Sequence, residues 1–263
     1  MLGKLLKYDL KWLYKTLRIF YIIAIIFAFM ARALNEVENS LILNIIGKVC
    51  NGVVISMIIN IIINNFMGVW ARFRRNLYKD ESYLTHTLPV EKNKIYLSKV
   101  LAAIITLFTS FLVILLCLYI CYYSKETLEW IKTSLELVAN TYDSTVHAFL
   151  GIAFIVIVLE AIFALLAGVL GIIIGYKSNN LKVVKSIVYG FVIYMITSML
   201  SLVVMLIIGL FNPDIMNLFN TVNVVDINAI KSVLYIGIIL YTAYIFAYYF
   251  IGKKLLNKGV DVD

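Results

Sequence analysis

The sequence predicts an all-α polytopic membrane protein: six transmembrane helices, an N-terminal amphipathic interfacial helix, and both termini in the cytoplasm. Three observations carry this. Charged residues make up 14% of the chain, against about 25% in soluble domains. Six apolar stretches reach the roughly 20 residues that a bilayer demands. Eighteen of the 23 Lys and Arg residues fall on one side of that pattern, at the N-terminus, in every second loop and at the C-terminus. Basic residues stay cytoplasmic during insertion, which sets the orientation. The chain reads as a single domain of 263 residues, without internal repeats.

Met1 to Lys15 reads as the amphipathic helix, within a segment 1–16. Leu2, Leu5, Leu6, Leu10 and Leu13 recur at helical spacing, and Lys4, Lys7, Lys11 and Lys15 occupy the other faces. Such a helix lies on the membrane surface. It is not a cleavable signal peptide, because no small-residue cleavage site follows the first apolar run. The spans follow at about Leu17 to Leu34, Leu41 to Ala71, Ile95 to Tyr123, Ala148 to Gly175, Ile187 to Phe211, and Val233 to Ile251. The second, third and fourth exceed the minimum length and are expected to tilt or project. The alternating pattern of a membrane barrel is missing, which leaves helices as the spanning form.

Residues 72–94 form the longest cytoplasmic loop. A short helix is expected over Asp80 to His86. Thr87 is expected to cap the next helix, with Pro89 in its first turn, where a missing amide donor is tolerated. Residues 124–147 and 212–232 are the two large extracytoplasmic loops. In the first, Leu128, Ile131, Leu135 and Val138 make an apolar stripe that predicts a helix on the outer surface. Cys50, Cys117 and Cys121 lie in or beside apolar spans without a CxxC pair, so they read as small buried residues.

The chemistry present is sparse. There is no GxxxxGK[ST] phosphate loop, so nucleotide binding must come from elsewhere. His86 and His147 are the only histidines, and they fall on opposite sides of the membrane. Metal ligands do not cluster, and no HExxH or GxSxG motif occurs. No direct cofactor is expected, and the chain is not read as an enzyme by itself. Its net charge of +8 sits at span ends, where it meets anionic lipid rather than nucleic acid.

Inside the spans a few polar residues stand out. Glu160 is the one acidic residue deep in a span, and its cost predicts that it faces the bundle interior, a water-filled cavity or a subunit interface. It reads either as a substrate or proton contact or as a neutral helix lock. Gly52, Ser56, Asn60 and Asn64 recur every four residues on the second span. Thr197, Ser198 and Ser201 make a smaller patch on the fifth. Both sets fit either a transport path or interhelical hydrogen bonding. Ala164, Ala167, Gly168, Gly171 and Gly175 are small residues at helical spacing and predict close helix packing.

The run RFRRNLYKDESYLTHTLPVEKNKIYLSKVLAA, Arg72 to Ala103, carries a resemblance. With the length, the six spans and the amphipathic start, it resembles the type-2 ABC transporter permeases, small bacterial subunits whose ATPase is a separate chain. Arg72, Phe73, Asn76, Leu77, Asp80, Glu81, Tyr83, Leu84, Thr87, Leu88, Pro89, Val90, Leu97, Ser98 and Lys99 stand at the matching positions; Val100 replaces a usual Leu. The resemblance implies the transmembrane subunit of an ATP-driven exporter in the bacterial cell membrane. It implies pairing with a second copy or a sister permease, ATP and Mg on the partner ATPase, and a transported peptide, lipid or drug. The implied ATPase-coupling surface is Asn76, Tyr78, Lys79, Asp80, Glu81, Tyr83, Leu84 and His86. The implied path takes in Asn60 and Asn64, with Thr197 and Ser201, and Glu160 is a further candidate. Two other readings stay open: a stand-alone ion- or proton-coupled carrier, and a non-transporting membrane immunity or sensor protein.

Overall fold

The computed structural model describes residues 1–37, 40–124, 127, 129–130, 132–136, 146–212, 215–216 and 227–258. Among these the secondary structure is helical, without strands. The helices are α1 (Leu2–Asn35), α2 (Leu41–Tyr78), α3 (Ser82–Thr87), α4 (Lys92–Tyr122), α5 (Val146–Gly175), α6 (Lys182–Phe211) and α7 (Ile227–Asn257). All but α3 are long and apolar enough to cross a membrane, six in total. The chain is a multi-pass membrane protein. It divides into two compact units, one built from α1 to α4 and the other from α5 to α7.

In the first unit, α1 and the expected surface helix are one element. The 34-residue helix runs unbroken through the lysine-bearing turns into the apolar stretch. Nothing between Lys4 and Asn35 is Gly or Pro, so no residue stops the helix. At 1.5 Å per residue it is about 51 Å long, well beyond a ~30 Å hydrocarbon core. Its buried face reads Asp9, Leu13, Leu17, Ala24, Ala28 and Ala31. The three alanines are small enough to let α2 and α4 approach, and Ala24 and Ala28 share a core with Val54, Ile61, Ile114 and Cys117.

Helix α2 starts at Ser40, whose Oγ accepts from the Leu43 amide at 3.5 Å. It continues seven residues past the expected end at Ala71, to Tyr78. Thr87 does not cap α4. It closes α3 instead, its hydroxyl donating to the Leu84 carbonyl at 3.1 Å. Pro89 lies between the two helices, in a tight turn where the Val90 amide donates to the Leu88 carbonyl at 2.7 Å. Glu91 then precedes α4 and pairs with Lys94 at 2.8 Å. The proline lacks an amide donor and sets its own φ, so it serves the turn rather than the helix start.

In the second unit, α5 and α6 pack through small residues. A Cβ added at Gly171 would sit 2.5 Å from the Gly190 Cα and 2.6 Å from the Ser186 carbonyl oxygen. One added at Gly175 would sit 2.5 Å from the Ser186 Cα. The expected close packing is therefore present, and it requires glycine at both positions. Helix α7 packs mainly on α5.

Of the expected outer-surface helix, residues 127, 129–130 and 132–136 are described and lie in helix, with Trp130 exposed. Leu128, Ile131 and Val138 of its stripe lie outside the described residues, as does most of the 212–232 loop.

Candidate coupling site and polar residues of the spans

The ends of α1, α2 and α4 meet at a buried ion cluster beneath α3. Asp9, only 4% exposed, receives Nε of Arg72 at 2.9 Å, Nζ of Lys99 at 3.3 Å and Oγ of Ser98 at 3.0 Å. Arg72 has a second partner: its Nη1 lies 2.6 Å from Oε2 of Glu81. The guanidinium also sits 5.5 Å over the Trp12 ring. Two carboxylates and two cations thus balance in a place largely closed to water. An unbalanced charge there would be costly.

Glu81, immediately before α3, is the outer end of this cluster. Besides Arg72 it accepts from Nδ2 of Asn76 at 3.0 Å and lies 3.6 Å from Nε of Arg75. Partial burial works against its ionised form. The Asn76 hydrogen bond and the Arg72 charge outweigh that, so its carboxyl sits below the ordinary glutamate range. The ring of His86 reaches the Leu77 carbonyl at 3.1 Å. Tyr78 is buried against Phe73.

These contacts divide the expected coupling surface in two. Asn76, Tyr78, Glu81 and His86 are turned inward, where they hold α3 on the ends of the long helices. Lys79, Asp80, Tyr83 and Leu84 are exposed, with Tyr83 at 76% and Leu84 at 67%. Leu88, at the end of α3, is exposed beside them. The outcome is a short helix with an apolar tip, backed by an ionic anchor. Asp9 was not among the expected site residues, nor was its pairing with Arg72 and Lys99.

The other expected residues are dispersed. On α2, Ser56, Asn60 and Asn64 form a ladder along their own helix. Each donates to the carbonyl four residues earlier, at 3.0, 2.9 and 2.9 Å. Their stripe is left partly or fully exposed on the first unit, away from its core. Asn65, beside the stripe, is fully buried and donates to Ser110 at 2.7 Å. On α6, Thr197 bonds the Tyr248 hydroxyl at 2.8 Å, and Ser201 donates to that of Tyr244 at 3.2 Å. These two hydroxyls tie α6 to α7. Ser198 donates to the carbonyl of Tyr194 on its own helix. Asn60 and Asn64 belong to the first unit, and Thr197 and Ser201 to the second.

Glu160 lies at the centre of α5, and it is exposed. One turn further along, the buried Phe163 ring is surrounded by four tyrosines. The rings of Tyr194, Tyr241, Tyr244 and Tyr248 have centroids 5.4, 5.5, 5.6 and 5.5 Å from it. No protein-family model, curated protein or solved structure gives a significant match to the chain.

Proposed function

We propose that this chain is the transmembrane permease of an ATP-driven exporter, in which two permeases work with two separate ATPase subunits. The observation that carries the reading is α3: Tyr83 and Leu84 stand exposed on a helix that a buried ion cluster fixes to three long helices. An aromatic and a leucine exposed together at a charged loop tip have the chemistry of a protein-docking anchor. A docking helix that transmits force needs stiff backing, and Arg72, bridging Asp9 and Glu81, provides it. In this reading ATP and Mg belong to the partner, in keeping with a sequence that has no GxxxxGK[ST] loop. The basic asymmetry supports a cytoplasmic position for α3 and both termini, the side on which an ATPase of a bacterial cell membrane would dock. The likeness of Arg72 to Ala103 to the type-2 permeases points the same way. The Ser56–Asn60–Asn64 stripe is the part of the path that α2 would contribute. Thr197 and Ser201 would support that path by fixing α6 to α7.

The test is affinity purification of the tagged chain in mild detergent, with mass spectrometry of what accompanies it. A roughly stoichiometric ATPase with a phosphate-binding loop is expected. Tyr83→Ala and Asp80→Arg should each reduce it without altering membrane insertion. Absence of any ATPase under conditions that preserve membrane complexes would overturn the reading.

A further inference from the structure

The first five cations of α1 share one face. At about 100° per residue, Lys4, Lys7, Lys11, Lys15 and Arg18 fall within an arc of about 80°, along about 21 Å of helix. All five are exposed. The buried Asp9, Leu13 and Leu17 lie roughly 160° away, so the stripe points away from the helices on which α1 packs. Among the described residues none of the five has a carboxylate within salt-bridge distance.

A charged face alone needs only water. The same side of α1, however, continues past Arg18 as Ile22, Ile26 and Phe29, which are 55%, 51% and 59% exposed. On a spanning helix such a face meets acyl chains, which are as apolar as leucine. One face is thus apolar within the span and cationic where the helix leaves it. An anionic phospholipid has the matching polarity, with its phosphate above its tails. Because α1 is unbroken, its basic turns continue the line of the span and do not fold flat onto the membrane. Along the axis from Ile19, where the apolar run begins, Arg18 and Lys15 lie within about 6 Å and Lys11 at about 12 Å. Lys7 and Lys4 lie at about 18 and 22 Å. A headgroup layer is about 5–8 Å deep, so it takes in Arg18 and Lys15 and ends well before Lys7.

We infer that the exposed face of α1 from Lys15 to Ile26 is a contact site for an anionic phospholipid of the bilayer. Arg18 can donate two N–H groups to one phosphate. Lys15, three residues away on the same face, adds a second charge. The acyl chains lie along Ile22 and Ile26. The site does not depend on the exporter reading, and neither does its test.

The experiment places a benzophenone amino acid at Ile22 of the full chain, in nanodiscs of phosphatidylcholine with a minor fraction of phosphatidylglycerol. After irradiation the lipid adducts are identified by mass spectrometry. Phosphatidylglycerol is expected among them at about fivefold or more above its share of the bilayer, the effect of one or more cations at a membrane surface. The same probe at Ile239, an exposed position of α7, should capture the two lipids at their bulk ratio. Lys15→Gln with Arg18→Gln should return the Ile22 adducts to the bulk ratio. Lys4→Gln with Lys7→Gln should leave the enrichment unchanged. A bulk ratio at Ile22 in the otherwise wild-type chain, or equal enrichment at Ile239, would overturn the assignment without recourse to the charge variants. So would equal losses in the two double variants, since lipid laid along the whole stripe would use all five cations alike. In cells, a protein adduct at Ile22 in place of lipid would assign the face to a partner and overturn it as well.

Discussion

Asp9 is the lone acidic residue among the first eighteen, surrounded in sequence by Lys4, Lys7, Lys11, Lys15 and Arg18. Those five are exposed, and Asp9 is buried. The reason is its partners: Arg72 and Lys99 enter the same space from α2 and α4, and each needs a negative charge. Replacing Asp9 by Asn leaves Arg72 and Lys99 with Glu81 as the one carboxylate of the cluster, and Lys99 without an anionic partner within salt-bridge distance. Loss of about 3 kcal/mol is expected, the size seen when one member of a buried pair is removed. It would be read as a lowered thermal midpoint in detergent, with faster hydrogen exchange of the α3 amides. Glu81 adds a pH dependence of defined sign. Its folded carboxyl titrates below its unfolded value of about 4.3, so its contribution is complete above that value. The contribution disappears as pH falls through the lowered folded value. Exchange of α3 amides, corrected for intrinsic rates, should rise only below the ordinary carboxylate range, and Glu81→Gln should abolish that step. The signal for Asp9 was available in the sequence: it keeps four-residue register with Leu13 and Leu17, the stripe that becomes buried. Its partners were not, because α2 and α4 reach it only through tertiary packing.

At the scale of helices, the membrane makes the spans legible. A run of about 20 apolar residues has few other uses, and the expected 148–175 and 187–211 stretches correspond to α5 and the greater part of α6. Hydropathy does not show the charged turns beyond the bilayer. For that reason α1 and α2 are longer than the apolar stretches within them, and the expected surface helix and first span are one continuous helix. Thr87 illustrates a second limit: its hydroxyl can serve the end of one helix or the start of the next, and the γ-turn at Pro89 decides between them. Small-residue spacing was more informative. Gly171 and Gly175 meet Ser186 and Gly190 with no room for a methyl group. Gly171→Ala should therefore force α5 and α6 apart at a cost of about 1–3 kcal/mol. Gly190→Ala should cost less, since its added Cβ would lie 3.3 Å from the Gly168 Cα. Denaturant titration of the two variants gives the order; equal stability would contradict the close approach. Thr197→Val, by contrast, loses one interhelical hydrogen bond and should cost only about 0.6 kcal/mol.

For the molecule as a whole, charge is distributed unevenly along the sequence. Eighteen of the 23 Lys and Arg residues fall at the N-terminus, in every second loop between apolar stretches and at the C-terminus, and within the first unit the ion cluster fixes α3. The sequence revealed the multi-pass helical class. It did not reveal that half of the expected coupling residues are anchors, because Asn76 and Glu81 look the same on paper whether they face a partner or the protein itself. In the proposed assembly an ATPase docks on the exposed tip of α3. Site-specific photo-crosslinking in cells tests this most directly, with a benzophenone amino acid in place of Tyr83 and, as a control, in place of the inward-facing Tyr78. An adduct is expected at position 83 and not at 78, with a partner that carries a phosphate-binding loop. Position 83 yielding no protein adduct, or one with a partner lacking any nucleotide site, would contradict it.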